Sequence, residues 1–476
     1  MNWQPTKHSA ITLHEQIINW FTTQLEQGDL TPGMRLPSQR LLALQFNVNR
    51  STIHVVMDEL KARGLIETRT GNGTYISEDP WQLLLNESQP KWQQHIDFSV
   101  HKPNIDTIQL INEYEQFEHI IRLGTGELAP SLLPTKQIEQ SLRELSLTAT
   151  NLSYSVPQGS KELREALCNY LQKRGIQTTT NNILITSGAL QAFQLIALGL
   201  LQPGSIIFQQ EASYLNSIHP FQSAGMRMAG VKINEQLQHT LSAKKGNRQS
   251  LFYAIPTLDN PTGNCWSNVQ KQQVFDTCKE LAIPIIEDDV YHELLFNPTN
   301  ELPLKAYDQS GQVLYIGSVS KTLSPGLRIG WIVGSESVIK RLADIKMQTD
   351  YGSSALSQQL VSHWLQSDKY EQHMIQLRNN LQQRAAFVEK LLQQYMKPYA
   401  TWQQPQGGLY IWLRFKKPII NKVLFLELLQ QHILINPGYI YLPNDFHHLR
   451  LSFAYASFEQ LQHGIQLLAL AVTKRY

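Results

Sequence analysis

Across residues 117–476, short apolar runs alternate with longer stretches of helical spacing, and this alternation most limits the folds open to the chain. The runs at 183–185, 206–208, 251–253, 283–286 and 313–316 are too short for helices and have no polar face. Segments of that kind must be covered on both sides, as in a mainly parallel sheet wrapped by helices. The expected class for this part is α/β, with a smaller C-terminal subdomain.

The first 77 residues have a different pattern. Leu13, Ile17, Trp20, Phe21 and Leu25 fall near helical spacing, and a turn follows at Gly28, Pro32 and Gly33. Pro37 and Ser38 start a second, short helix that runs through Leu41, Leu42 and Leu44 and breaks at Asn47. In a third helix Ile53, Val56, Met57 and Leu60 face inward, Arg50, Ser51, His54 and Lys61 face out, and Gly64 ends it. Residues 65–68 and 74–77, joined by Gly71-Asn72-Gly73, then form a β-hairpin. This order is that of a winged helix-turn-helix. We therefore expect a head at 1–78, a linker at 79–116 that has some local structure and scattered Trp81, Trp92 and Phe98, and a large domain at 117–476.

A chain of 476 residues with 42% hydrophobic content exceeds one compact core, so a multidomain protein is expected. No apolar run approaches the roughly 20 residues that span a bilayer, so a cytoplasmic location is expected. Cys168, Cys265 and Cys278 include no C-x-x-C pair, which suggests neither a disulfide framework nor a zinc site, and no metal is expected. A net charge of +2 is too small for a generally basic nucleic-acid binder, so any DNA contact must be local. Between Leu30 and Arg69 six basic residues, Arg35, Arg40, Arg50, Lys61, Arg63 and Arg69, stand against Asp58, Glu59 and Glu67, a local excess of +3.

The phrases Gly33-Met34-Arg35-Leu36-Pro37-Ser38-Gln39-Arg40, Asn49-Arg50-Ser51-Thr52-Ile53, Gly64-Leu65-Ile66 and Gly71-Asn72-Gly73-Thr74-Tyr75 closely resemble the DNA-binding domain of GntR-family regulators over residues 12–77. The resemblance implies that Arg40, Arg50 and the glycine-rich wing meet double-stranded operator DNA. Arg35, Ser51, Thr52, His54, Arg69, Gly71 and Gly73 are the accompanying candidates. His54 stands where some members carry an arginine, so base preference does not carry over there.

In the larger part, Ile316-Gly317-Ser318-Val319-Ser320-Lys321 ends an apolar strand in two serines and a lysine, and Arg328 follows. A lysine amine can condense with an aldehyde cofactor while hydroxyls and an arginine hold a phosphate. Asp288 ends another apolar strand and can keep a pyridine nitrogen protonated, as an electron sink requires. Tyr291 and Asn260 can reach a ring hydroxyl. Thr186-Ser187-Gly188-Ala189 supplies a strand, a small turn and a helix start for phosphate. Tyr214 can stack on a ring, and Arg450 can clasp a carboxylate.

In this order and spacing, residues 122–476 resemble the fold type I aminotransferases, specifically the MocR subfamily, which is fused to GntR-type heads. The resemblance implies pyridoxal 5'-phosphate as cofactor. Lys321 would be the Schiff-base lysine and Asp288 the ring-nitrogen partner, with Asn260 and Tyr291 on the ring hydroxyl and Tyr214 on the ring face. Ser187, Gly188, Ala189, Ser318, Ser320 and Arg328 would hold the phosphate, and Arg450 the substrate carboxylate. Tyr154 matches the family tyrosine that reaches the neighbouring subunit's phosphate, which implies a homodimer; relatives often pair head to tail. Two departures stand out. Gly126-Glu127-Leu128 replaces a glycine and proline near the substrate entrance, and Val290 separates the paired aspartates from Tyr291, the spacing of working aminotransferases. The expected function is a regulator sensing an amino acid, an amine or the cofactor itself. The alternative is an active aminotransferase carrying a DNA-binding domain.

Overall fold

The computed structural model describes residues 3–7, 11–26, 29–69, 73–77, 103–145, 153–297 and 302–476. The chain divides into two compact units, Met1–Ser99 and Val100–Tyr476.

In the smaller unit, helices α1 (Leu13–Glu26), α2 (Gln39–Gln45) and α3 (Arg50–Ala62) precede an antiparallel hairpin of β1 (Ile66–Arg69) and β2 (Gly73–Ile76). The third-helix periodicity is realised as expected: Ile53, Val56, Met57 and Leu60 are buried against Ile17, Phe21 and Leu25 of α1 and Leu42 of α2. Ser38 caps α2, its hydroxyl accepting from the Leu41 N–H at 3.4 Å. Asn47, at φ 53°, makes the left-handed turn that sets α3 across α2. Outside the core, Trp3 stacks on Trp20 at 6.0 Å and meets the edge of Phe46, adding an aromatic layer that the periodicity of α1 did not announce.

In the larger unit, β3 (Ile121–Arg122) precedes a seven-stranded central sheet. Its strands are β4 (Ile183–Thr186), β5 (Ile206–Gln210), β6 (Arg227–Val231), β7 (Ser250–Ala254), β8 (Ile285–Asp288), β9 (Val313–Ser318) and β10 (Gly330–Val333). Their order is β4-β10-β9-β8-β7-β5-β6, and only β10 runs antiparallel to its neighbours. All residues of β4, β7, β8, β9 and β10 are buried, as an absence of polar faces required. A smaller C-terminal layer follows. It contains β11 (Ala400–Thr401), β12 (Tyr410–Phe415), β14 (Asn436–Pro437) and β15 (His448–Ser452) in one antiparallel sheet, while β13 (Ile433–Leu434) pairs with β3 in parallel.

The expected linker is too long at its far end. Residues Asp106–Tyr114 form a helix whose Thr107, Ile108 and Ile111 are buried in the larger unit's core. Two isoleucines one helical turn apart, among polar neighbours, make a stripe too narrow to stand out from a polar connector. Residues 79–102 of that linker, with Trp81, Trp92 and Phe98, lie outside the described residues.

Candidate functional site

Ligands of open α/β sheets bind beyond the carboxyl ends of the strands, and the candidate residues converge there. Asp288 closes β8, Ser318 closes β9 with Lys321 three residues beyond, and Ser187 and Gly188 turn from β4 into the helix Ala189–Leu200. A cavity of about 370 Å³ is lined by Ala189, Tyr214, Asn260, Asp288, Tyr291, Ser318, Ser320, Lys321, Arg328 and Arg450. The structure thus brings together on one cavity residues separated by up to 261 positions in the chain.

Asp288 is 2% exposed, and its Oδ2 accepts from the Tyr253 hydroxyl at 2.7 Å. Its Oδ1 is buried without a partner among the described residues. Burial pushes this carboxyl up to about 7, against the lowering effect of the Tyr253 hydroxyl and, more weakly, the Val290 N–H. A buried acceptor with nothing to accept from costs free energy unless a donor is supplied, and a protonated pyridine nitrogen is such a donor. The adjacent Asp289 is consumed elsewhere: Arg174 donates to its Oδ2 at 2.5 Å and to the Tyr315 hydroxyl at 2.7 Å. Of the two aspartates, only Asp288 lines the cavity.

The Lys321 amine donates to the Gly126 carbonyl at 2.7 Å. Asn260 Nδ2 lies 3.4 Å from the Tyr291 hydroxyl, and the Tyr410 hydroxyl lies 3.5 Å from it on the other side. At the phosphate end, Gly188 has φ +83°, and a Cβ there would lie 2.7 Å from Arg328 Nη2, so glycine is required. Arg328 donates through Nη2 to the Ser187 carbonyl at 2.9 Å, and the helix starting at Ala189 has no side-chain cap, leaving its first N–H groups for an anion. Two of the expected phosphate ligands are partly engaged. The Ser318 hydroxyl is turned to the Ile329 carbonyl at 2.9 Å and to Ser320 Oγ at 3.0 Å, and the Ser187 N–H is held by Gln191 at 2.7 Å.

Arg450, from β15, is 5% exposed. It donates to Asn260 Oδ1 at 2.8 Å and to the Gly124 carbonyl at 2.7 Å, and it lies between the rings of Tyr410 and Tyr441 at 4.1 and 4.7 Å. Asn436, with its amide oxygen turned inward, accepts from Arg450 Nη2 at 3.0 Å. No carboxylate of the described residues ion-pairs with this guanidinium, and its buried Nε lacks a partner. The site therefore holds a fixed cation whose hydrogen-bonding neighbours are all neutral, with the Glu115 carboxylate acting on it from further off. Tyr253, Tyr410, Tyr441, Asn436 and Glu115 are site residues that sequence reasoning missed. The only local hints were the paired Gly407-Gly408 before Tyr410 and the turn tripeptide Asn436-Pro437-Gly438. Tyr154 is not brought in: it is 88% exposed, its ring 5.4 Å from that of Tyr351, and it does not line the cavity.

In the smaller unit Arg50, Ser51 and His54 are exposed on the first turns of α3, Thr52 is half-buried, and Arg40 is exposed on α2. Arg35 lies along the hairpin, where a Cβ on Gly73, at φ +104°, would come 3.2 Å from its Nε. Arg35, Arg40 and Arg50 enter no ion pair among the described residues. By contrast His54 faces Asp58 at 2.7 Å, and Arg69 faces Glu67 at 2.6 Å over the Tyr75 ring. Gly71 lies outside the described residues. Among the described residues no helix is long and apolar enough to cross a membrane, and no cluster of metal-ligating side chains occurs.

Residues 13–76 match the family of bacterial regulatory proteins of the gntR type, and residues 118–468 match aminotransferase class I and II. A Bacillus subtilis protein named an uncharacterized HTH-type transcriptional regulator, YisV, is 43% identical over 98% of this chain and 97% of its own length. The HTH-type transcriptional regulator NorG of Staphylococcus aureus is 38% identical over 93% of this chain and all of its own length. Among solved structures, Pyrococcus horikoshii kynurenine aminotransferase, crystallised with PMP and kynurenine, superposes with a TM-score of 0.74 at 25% identity, covering 82% of this chain and 98% of that one. The chain accordingly belongs to the GntR-type regulators whose helix-turn-helix head is fused to a class I and II aminotransferase domain, the MocR arrangement.

Proposed function

We propose that this protein is a DNA-binding transcription regulator whose larger unit holds pyridoxal 5'-phosphate and senses an amino compound that carries a carboxylate. The observation that carries the reading is one cavity containing a lysine amine and, among the described residues, an unpartnered buried carboxylate oxygen and an arginine in no ion pair, in a chain that also has an arginine-bearing recognition helix. When bound, the cofactor supplies an aldehyde to which amines condense and a cationic ring that withdraws electrons.

The chain's own groups divide the remaining work. Asp288 Oδ1 would accept from the ring nitrogen, and Asn260 and Tyr291 would hold the ring oxygen. Tyr214 would cover a ring face. Arg328, Ser320 and the N–H groups at Gly188 and Ala189 would take the phosphate, with Ser187 and Ser318 bracing that cup. Lys321 Nζ is the amine, held in place by the Gly126 carbonyl. Arg450 would take the ligand carboxylate, and its charge is already desolvated and oriented. Tyr154, exposed in the single chain, suits a role in a second subunit's site, so a homodimer with a head-to-tail arrangement belongs to this reading. Operator DNA would be met by Arg35, Arg40, Arg50, Ser51 and Thr52 directly, and by His54 and Arg69 after they leave their carboxylates. Such a protein works in the cytoplasm.

The test uses the purified full-length chain reconstituted with the cofactor. Its visible absorbance should change with carboxylate-bearing amines, and its affinity for the DNA upstream of its own gene should change with the same ligands. A chain that takes up no cofactor, or whose DNA affinity is indifferent to every ligand that alters the absorbance, defeats the reading. A second reading, a working aminotransferase, is favoured by Val290, which sets Tyr291 three residues after Asp288, and by the complete set of polar groups around Lys321. Repeated release of a 2-oxo acid distinguishes it from sensing.

A further inference from the structure

The proposed function leaves some charges on the cavity wall without a task. The charged groups lining the cavity are Glu115, Glu127, Asp288, Lys321, Arg328 and Arg450. The cofactor would engage Asp288, Lys321 and Arg328, and a ligand carboxylate would engage Arg450. Glu115, which also supports the Arg450 charge from beyond hydrogen-bonding distance, and Glu127 remain without a direct partner of opposite charge. From this remainder we infer that the ligand carries a second positive group, as in an α-amino acid with a cationic side chain, and that Glu115 is the residue that reads it. The inference rests on the sensing function above and specifies its ligand.

Glu115 is placed for that task. It ends the helix Asp106–Tyr114, whose Ile108, Ile111 and Asn112 also line the cavity. Its Oε1 accepts from the Thr125 hydroxyl at 2.6 Å, which fixes the carboxylate, while Oε2 has no hydrogen-bond partner among the described residues. Thr125 lies between Gly124, whose carbonyl accepts from Arg450, and Gly126, whose carbonyl accepts from Lys321. The acidic group is thus anchored to the same three residues as the arginine and the lysine. The bound molecule should therefore present its carboxylate, reacting amine and distal cation to Arg450, Lys321 and Glu115. Neither unpartnered buried group of the cavity, Asp288 Oδ1 or Arg450 Nε, can take a cation in place of Glu115. Asp288 would already be matched to the ring, and Arg450 repels it. An acidic side chain would place like charges together, and an aliphatic one would leave Glu115 facing apolar atoms.

The experiment titrates the cofactor-loaded, full-length protein with L-lysine, L-ornithine, L-arginine, L-norleucine and L-glutamate, reading the visible absorbance. L-arginine, whose guanidinium does not condense with an aldehyde under these conditions, shows that attack comes through the α-amine. The cationic amino acids should bind roughly tenfold tighter than L-norleucine, with L-glutamate weakest, and the advantage should shrink with added salt. Glu115→Gln keeps an acceptor for Thr125 but loses the charge, and should narrow the lysine-to-norleucine ratio toward unity; Glu127→Gln should narrow it less. If lysine and norleucine bind the native protein equally, or if the ratio survives Glu115→Gln, the inference is overturned while the sensing function stands. If none of the five alters the absorbance, the sensing reading falls and takes the inference with it.

Discussion

Two sets of arginines in this protein are held in opposite ways. Arg40 and Arg50 of the smaller unit are exposed and without ion-pair partners among the described residues, whereas Arg450 of the larger unit is 5% exposed and fixed by Asn260, the Gly124 carbonyl, Asn436 and two tyrosine rings. A polyanion arrives as an extended surface with its own counterions, so cations that meet it can stay hydrated until contact, and their energy comes largely from ion release. A small carboxylate brings one charge and few contacts, so the cation that meets it has to be desolvated and aimed beforehand. Exposure suits the first task and burial the second.

The contrast can be broken in several places. The largest effect belongs to Lys321→Ala, which should abolish covalent cofactor attachment, read as loss of the visible absorbance while the far-ultraviolet spectrum is kept; retained colour would assign the amine to another residue. Next comes Arg450→Lys, which keeps the charge but loses the fixed fork, and should weaken carboxylate-bearing ligands by about 2 kcal/mol or more. An unaffected affinity would mean the ligand carboxylate binds elsewhere. Arg50→Ala should weaken operator binding by about 1–3 kcal/mol and reduce the salt slope by about one ion, measured by binding at several salt concentrations. A loss of affinity with unchanged salt slope would place Arg50 on a base edge without a phosphate contact.

The smallest effect, taken per pH unit, is a pH dependence. Without cofactor, the Asp288 carboxyl is raised to about 7 from its usual 3.8, so the folded chain holds a proton that the unfolded chain has released between these values. The sign is then fixed. This contribution to stability is full below pH 4 and is lost as pH rises through 7, on the order of 1 kcal/mol per pH unit inside the window. Asp259 and Glu287, raised by burial to about 7 and about 8, add in the same direction. Denaturant unfolding of the cofactor-free protein between pH 5 and 7.5 should show this slope, and Asp288→Asn should reduce it without abolishing it. A slope unchanged in Asp288→Asn would assign the titration to Asp259 and Glu287.

What could be read in the chain follows the range of the forces involved. Lys321, Asp288 and the Gly188 turn were legible because each lies at the end of an apolar strand or the start of a helix, where local pattern fixes position. The head was legible for the same reason, its helices being short and their apolar stripes clear. Tyr410, Tyr441 and Asn436 were not, because their roles come from strands of the smaller sheet whose approach to the cavity is a tertiary matter. The helix Asp106–Tyr114 was read as linker because two isoleucines made too faint a stripe. That error also hid Glu115.

Gly124-Thr125-Gly126 gives an oxygen to Arg450, a hydroxyl to Glu115 and an oxygen to Lys321. Added side chains at the two glycines would overlap Asn436 and the Tyr410 hydroxyl, at 2.1 and 2.3 Å. The tripeptide is therefore a keystone that cannot be recut: substitutions there would unsettle all the charges resting on it together. New ligand preferences in this lineage should arise from changes in the residues leaning on that stone, one at a time, while the stone itself stays as it is.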